Sequence, residues 1–328
     1  MILRIQVLLL MLLTGHVLVS AFSARSADNL VYVSNERSST VSVIDTTSDR
    51  IVHSVKVEGR PRGLAVRNAR LYVALSDRFQ NAQSDEDAIV AIDPSSGKVT
   101  ARYDAGTDPE RFVLSADGRQ LIAANEDAGT ATITDLTSGK ILATLVVGIE
   151  PEGVAISPDG RWVYVTAETS NTVSVIDMRA RRVVKSFAVD PRPRMAAFSP
   201  DGKHAYVTAE IGSSVSLIDA VEHRVIDVIE LQAPSHPVGV VASPDGQWVY
   251  VANGHGNSIT IIDAKAWKVA AIVPVGRRPW GVAISPDGAK LYTANGVSND
   301  VSVLDTATRR VVKVIAAGDG PWDVAVAR

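Results

Sequence analysis

A single all-β domain, a seven-bladed β-propeller of four-stranded antiparallel blades, is the fold this sequence predicts. Three observations predict it. The chain repeats internally seven times, each repeat alternates apolar and polar residues with period two, and the two chain ends are out of phase in a way that only a closed ring resolves. The clearest marker of the repeat is an aspartate ending a Val-Ser-Val-Ile-Asp segment, at Asp45, Asp93, Asp135, Asp177, Asp219, Asp263 and Asp305, with intervals of 48, 42, 42, 42, 44 and 42 residues. A period in this range, with four short strands per unit, is the signature of a propeller blade.

Each repeat reads as four strands, named a to d from the axis outward. Strand a is the Gly-Val-Ala segment, b the Tyr-Val segment, c the Val-Ser-Val-Ile-Asp segment and d the Val-Val-x-x-Ile segment. In Thr172–Asp177, Val173 and Val175 share one face and Ser174 takes the other. That alternation, rich in β-branched residues, fits a strand and not a helix of period 3.6. Between a and b lie Ser157-Pro-Asp-Gly160, Ser199-Pro-Asp-Gly202, Ser243-Pro-Asp-Gly246 and Ser285-Pro-Asp-Gly288. Proline supplies a preset φ early in the turn and glycine tolerates a positive φ at its end. The regularly spaced aspartates, in these turns and at the ends of strands c, are therefore expected to be structural.

The first strand, near Leu30–Asn35, is a b strand, whereas the last, Trp322–Ala327, is an a strand. The N-terminal b, c and d strands joined by the C-terminal a strand complete a seventh sheet. Closure removes two edges that would otherwise invite pairing with other chains. Residues 28–328 thus form one propeller domain. Residues 1–27 carry Arg4, the apolar run Ile5–Leu13 and small residues at Ala21, Ser23, Ala24 and Ala27, the pattern of a cleaved signal peptide. A periplasmic or secreted location, without a membrane span after signal removal, is expected.

The chain has 46% hydrophobic and 21% charged residues, which fits a folded globular protein. Its formal charge is −3, becoming −5 once Arg4 and Arg25 leave with the signal. No basic run marks a phosphate track, which argues against single-stranded nucleic acid as the partner. Cysteine is absent, excluding disulfides, thiolate metal sites and covalent c-type haem.

The blades resemble the YVTN family of β-propeller repeats, on the strength of Tyr164-Val-Thr-Ala, Tyr250-Val-Ala-Asn253 and the opening Tyr32-Val-Ser-Asn-Glu-Arg-Ser-Ser-Thr-Val-Ser-Val-Ile-Asp45. With a signal peptide and seven repeats, the chain is similar to periplasmic propellers associated with pyrroloquinoline-quinone-dependent alcohol catabolism. The resemblance implies a partner within a quinoprotein dehydrogenase system, and it specifies fold much more sharply than function.

Functional information should lie where the repeats differ. The residues after the d–a loop prolines are Arg62, Glu110 followed by Arg111, Glu152, Arg194, Val238, Trp280 and Trp322, and they should circle one mouth of the central channel. Two indoles in adjacent blades beside Arg62 and Arg194 suggest a site for a planar or anionic ligand, by stacking and charge-assisted hydrogen bonds. The b–c loops add Glu210 and His255, with His236 in the neighbouring d–a loop. The second repeat inserts Ser76–Asp87, whose Phe79 in a polar loop suggests contact with a partner or the channel rim.

No nucleophile elbow, dinucleotide fingerprint or phosphate-binding loop is present. The leading expectation is therefore a non-enzymatic protein, without cofactor or metal, binding a protein partner or small ligand through these residues and accessory to quinoprotein alcohol oxidation. The competing expectation is a propeller enzyme of the lyase or lactonase type, using His236, His255 and Glu210 for metal or acid–base work. Single-stranded nucleic-acid binding is the third.

Overall fold

The computed structural model describes residues 29–76 and 87–327. The expected signal peptide and Phe79 lie outside the described residues. Among the described residues, 28 strands form seven four-stranded antiparallel sheets. The sheet that closes the ring joins the C-terminal Pro321–Val326 to Leu30–Asn35, Thr40–Asp45 and Arg50–Lys56. Tyr32 is opposite Ala325 and Val33 opposite Val324 in that seam.

The core lies between blades rather than in one central mass. Tyr164, Val173 and Val175 of the fourth blade pack with Ala196, Ala205, Val207 and Ile218 of the fifth. Equivalent clusters fill the other gaps, including the one across the closure, where Val324 and Val33 meet Tyr292 and Val301. Alternation explains this arrangement, because each sheet buries both faces of strands b and c while strand d stays exposed along one side.

The repeated aspartates have the expected structural role. Asp135 Oδ1 accepts from the Thr137 and Ser138 amides, and Asp177 Oδ1 from those of Arg179 and Ala180. In the a–b turns, Asp159 accepts the Arg161 amide and the Ser157 hydroxyl. These bonds hold the carboxyls below the ordinary aspartate range, led at Asp159 by the serine hydroxyl. Gly160 closes the turn at φ 71°, a conformation costly for a residue with a Cβ.

One irregularity positions the channel mouth. In every blade the register slips where strand a begins, so that two residues face one on strand b. In the fourth blade, Glu152 and Gly153 lie between the pairs Pro151–Ala167 and Val154–Val165. Such a bulge kinks the strand and re-aims its side chains. Close approach follows: a Cβ on Gly153 would stand 2.2 Å from the Arg194 carbonyl oxygen of the next blade.

Candidate functional site

Each blade contributes to the mouth the residue before the d–a proline, the residue after it, and the first residue of the b–c loop. Asp108, Glu150, Arg192, His236 and Arg278, all just before a proline, have φ between 45° and 61°. Their carbonyls accept the b–c loop amides of Glu126, Glu168, Glu210, Gly254 and Gly296 at 2.8–3.2 Å. The left-handed backbone is therefore pinned, and the side chains leave it in a fixed direction.

The mouth opens on a cavity of about 460 Å³, whose lining includes Arg62, Glu126, Glu152, Glu168, Arg194 and Trp280. Charge is distributed unevenly around it. The third blade supplies Asp108, Glu110 and Glu126, and the fourth Glu150, Glu152 and Glu168. Arginines flank this acidic arc on both sides: Arg60 and Arg62 from the second blade, Arg192 and Arg194 from the fifth.

On the fifth-blade side, Arg194 Nη2 stands 2.8 Å from Glu152 Oε2, and Nη1 donates to Glu168 Oε1. Arg192 Nε lies 2.7 Å from Glu168 Oε2. Three guanidiniums converge on Glu210, those of Arg192 and Arg278 at 3.4 Å and that of Arg194 at 3.6 Å. Burial holds Arg278 below its ordinary value, and Arg194 and Arg192 add to that effect against Glu210.

Glu152 and Glu168 are both held by Arg194 and influence each other's ionisation. Burial, above all, pushes Glu152 well above the carboxylate range, with a hydrogen bond to Glu168 and the nearby Glu168 and Glu110 charges adding to it against Arg194. Burial acts the same way on Glu168, but the hydrogen bond from Glu152, together with Arg194 and Arg192, outweighs it and lowers the carboxyl. Their unlike surroundings thus push the two carboxyls in opposite directions, the arrangement that separates an acid from a base in a carboxyl pair. Glu152 Oε1 has no hydrogen-bond partner.

On the second-blade side, Arg62 pairs with Glu110 and, at 3.3 Å, with Glu36. Arg60 lies 3.3 Å from Asp108 and 3.6 Å from Glu36. Carboxylate oxygens of Asp108, Glu110 and Glu126 fall within 4.8 Å of one another. Burial, then the Glu110 and Asp108 charges, push Glu126 up to about 8.

The indoles are placed as the repeat implies but are not a free platform. Trp280 and Trp322 lie 6.3 Å apart, tilted by 37°. Arg62 and Arg111 sit 4.6 and 4.3 Å from the Trp322 ring centre, and Arg194 and Arg278 sit 4.8 and 4.7 Å from that of Trp280. Trp322 is only 4% exposed and Trp280 is half-buried, and both line the cavity. Arg111 bonds Asp323 at 2.8 Å, and Asp323 also accepts the Leu64 amide at 3.0 Å. These contacts tie the third, first and second blades together beneath Trp322.

His236 and His255 come together, their rings 4.3 Å apart, but Glu210 is committed to arginines. Burial lowers His255, as do Arg278 and His236. Arg192 and Arg278 were not among the residues singled out from sequence. Their signal was present, since the residue before each proline repeats as regularly as the one after it.

Comparison with known proteins adds two partial family matches. Residues 184–316 match a model described as lactonase, 7-bladed β-propeller, and residues 73–209 match a model of the cytochrome D1 haem domain. The first includes Arg192, Arg194, Glu210 and Arg278. The second includes Asp108, Glu110, Glu126, Glu152, Glu168, Arg192 and Arg194 of the charged network just described. Among solved structures, Kuenenia stuttgartiensis hydrazine synthase is 24% identical with a TM-score of 0.75, over 86% of this chain and 94% of that one. Putative 6-phosphogluconolactonases from Bacteroides uniformis and Bacteroides fragilis are each 19% identical, with TM-scores of 0.74 and 0.72, over 90% and 92% of this chain and 99% and 98% of theirs. No curated protein sequence matches. The likenesses establish the seven-bladed propeller fold.

These findings correct the expectation of a non-enzymatic scaffold accessory to alcohol oxidation. The lactonase-model match and the converging carboxyls point to an enzymatic propeller. The absence of a local catalytic motif misled, because each blade supplies only two or three of the groups.

Proposed function

We propose that the protein is a lactonase-like hydrolase acting on a small polar cyclic ester in the channel mouth. The observation that carries this reading is the Glu152–Glu168 pair on Arg194, one carboxyl raised by burial and the other lowered by its partners. The lactonase-model match and the lactonase-titled neighbours support it. Glu168 takes a proton from water as the water oxygen adds to the lactone carbonyl. The Arg194 guanidinium stabilises the oxyanion. Glu152 gives its proton to the ring oxygen as the C–O bond breaks, and the product is the open hydroxy acid. Arg192 and Arg278, at the outer side of the cavity, suit a hydroxyl-rich or acidic substituent.

The signal-like residues 1–27 support export, so the enzyme would work in the periplasm or outside the cell. An association with quinoprotein dehydrogenases rests on the repeat resemblance alone, and would take the form of consuming a lactone that such oxidation generates.

The test is a pH-stat assay of the purified protein with γ- and δ-lactones of sugar acids. Hydrolysis above the spontaneous rate is expected, with kcat falling by about 10²–10⁴ in Glu168→Gln, the usual worth of a general base. Failure to accelerate any member of the panel removes the proposal.

A further inference from the structure

We propose that Asp108, Glu110 and Glu126 of the third blade hold a divalent cation at the edge of the mouth cavity. The proposal stands on geometry and charge and is independent of the reaction assigned above.

Three separate pieces of one blade bring these groups together. Asp108 precedes the d–a proline with φ 45°, Glu110 lies on the strand-a bulge, and Glu126 opens the b–c loop. The Glu126 amide donates to the Asp108 carbonyl at 3.2 Å, fixing the two outer members relative to each other. Their oxygens lie within 4.8 Å of one another. Oxygens this close can be bridged by one hard cation, which takes carboxylate oxygens as ligands.

A second observation points to a missing positive partner. Glu110 is 1% exposed, and although Arg62 holds its Oε1, its Oε2 has no hydrogen-bond partner. A buried carboxylate oxygen without a donor is costly and rare in a native fold. The Ser76 hydroxyl, fully buried and also without a hydrogen-bond partner, lies beside Asp108, whose carboxyl is raised by burial and the Glu110 charge against Ser76. It offers a neutral oxygen of the kind calcium accepts.

Glu36, Asp108, Glu110 and Glu126 face two guanidiniums, Arg60 and Arg62, and the neighbouring Arg111 is committed to Asp323. Four carboxyl groups thus meet two guanidiniums. The equivalent trio in the fourth blade differs: Glu150 turns to the Thr169 hydroxyl, and Arg194 reaches both Glu152 and Glu168. Glu126 lines the cavity, so a cation there would face a bound substrate.

The experiment is calorimetric titration of the chelator-treated full protein with calcium chloride, alongside Glu126→Gln and Asp108→Asn. One equivalent of calcium should bind the parent protein, and each variant should weaken binding by at least about tenfold, the least that a supporting residue at a metal site is worth. Thermal melts supply a second readout. Calcium should raise the midpoint of the parent but not of the variants, and all three should melt alike in chelator. Absence of calcium binding, or equal binding and an equal midpoint rise in both variants, overturns the proposal.

Discussion

Truncation after Gly320 removes the strand that closes the ring, and its effect should far exceed the loss of one strand. Trp322 and Val324 are 4% and 6% exposed in the native fold. At about 1.5–3 kcal/mol for each buried side chain of this size, their loss costs about 3–6 kcal/mol. Asp323 leaves with them, stranding the buried Arg111 guanidinium that it holds at 2.8 Å. Removing one partner of a buried ion pair costs about 3–5 kcal/mol more. The sum is comparable with the whole stability of an ordinary domain, about 5–15 kcal/mol. Urea unfolding followed by tryptophan fluorescence should therefore show no cooperative native baseline for the truncated chain. A synthetic peptide of residues 317–328 added in trans should restore one. Val324→Ala, which only trims the closure cluster, should keep the transition but lose about 2 kcal/mol. A truncated protein unfolding at the midpoint of the full chain would refute the closed-ring energetics.

Other expectations follow from the mouth and the blade contacts. If Glu168 works ionised and Glu152 protonated, lactone hydrolysis should keep its activity to pH values below the ordinary carboxylate range, where Glu168 titrates, and lose it on the alkaline side as the Glu152 proton leaves. A profile with both limbs at the ordinary carboxylate value would contradict the split. Trp280→Phe should raise KM with little change in melting temperature, while Trp322→Ala should lower the melting temperature by removing a buried ring from between Arg62 and Arg111; equal effects on both readouts would erase that distinction. Gly153→Ala forces a methyl toward the Arg194 carbonyl at 2.2 Å and should cost about 1–3 kcal/mol in denaturant unfolding. His223, which bonds the Tyr164 hydroxyl at 2.7 Å, is lowered mainly by burial. Below pH 6.5 the unfolded chain takes up a proton that the native ring excludes, so stability should fall from there down to the native pKa. His223→Gln should flatten that slope, as read from melting temperature against pH.

Much of the fold is legible because the sequence repeats its own instructions. Spacing of the c-strand aspartates gives the blade number, and the phase difference between Leu30–Asn35 and Trp322–Ala327 gives the closure. The ring positions of Glu152, Arg194, Trp280 and Trp322 follow from the same periodicity. Depth does not. That Trp322 is more deeply buried than Trp280 goes with Arg111, which sits over its ring and bonds Asp323 from a position 212 residues away. The protonation of Glu152 likewise depends on Glu168, Glu110 and Arg194, residues on three different blades. No local motif encodes such a group, and the expectation of a scaffold without catalysis came from searching for one.

The joint before each d–a proline carries a wider consequence. Asp108, Glu150, Arg192, His236 and Arg278 occupy one backbone conformation, locked by one recurring amide bond, yet differ in charge and shape. Because the peptide geometry is settled before the side chain is chosen, each blade works as a socket that accepts an exchanged functional group without re-engineering of its surroundings. A new specificity could then be written by transplanting the three mouth residues of one blade into another, with the scaffold indifferent to which chemistry it presents.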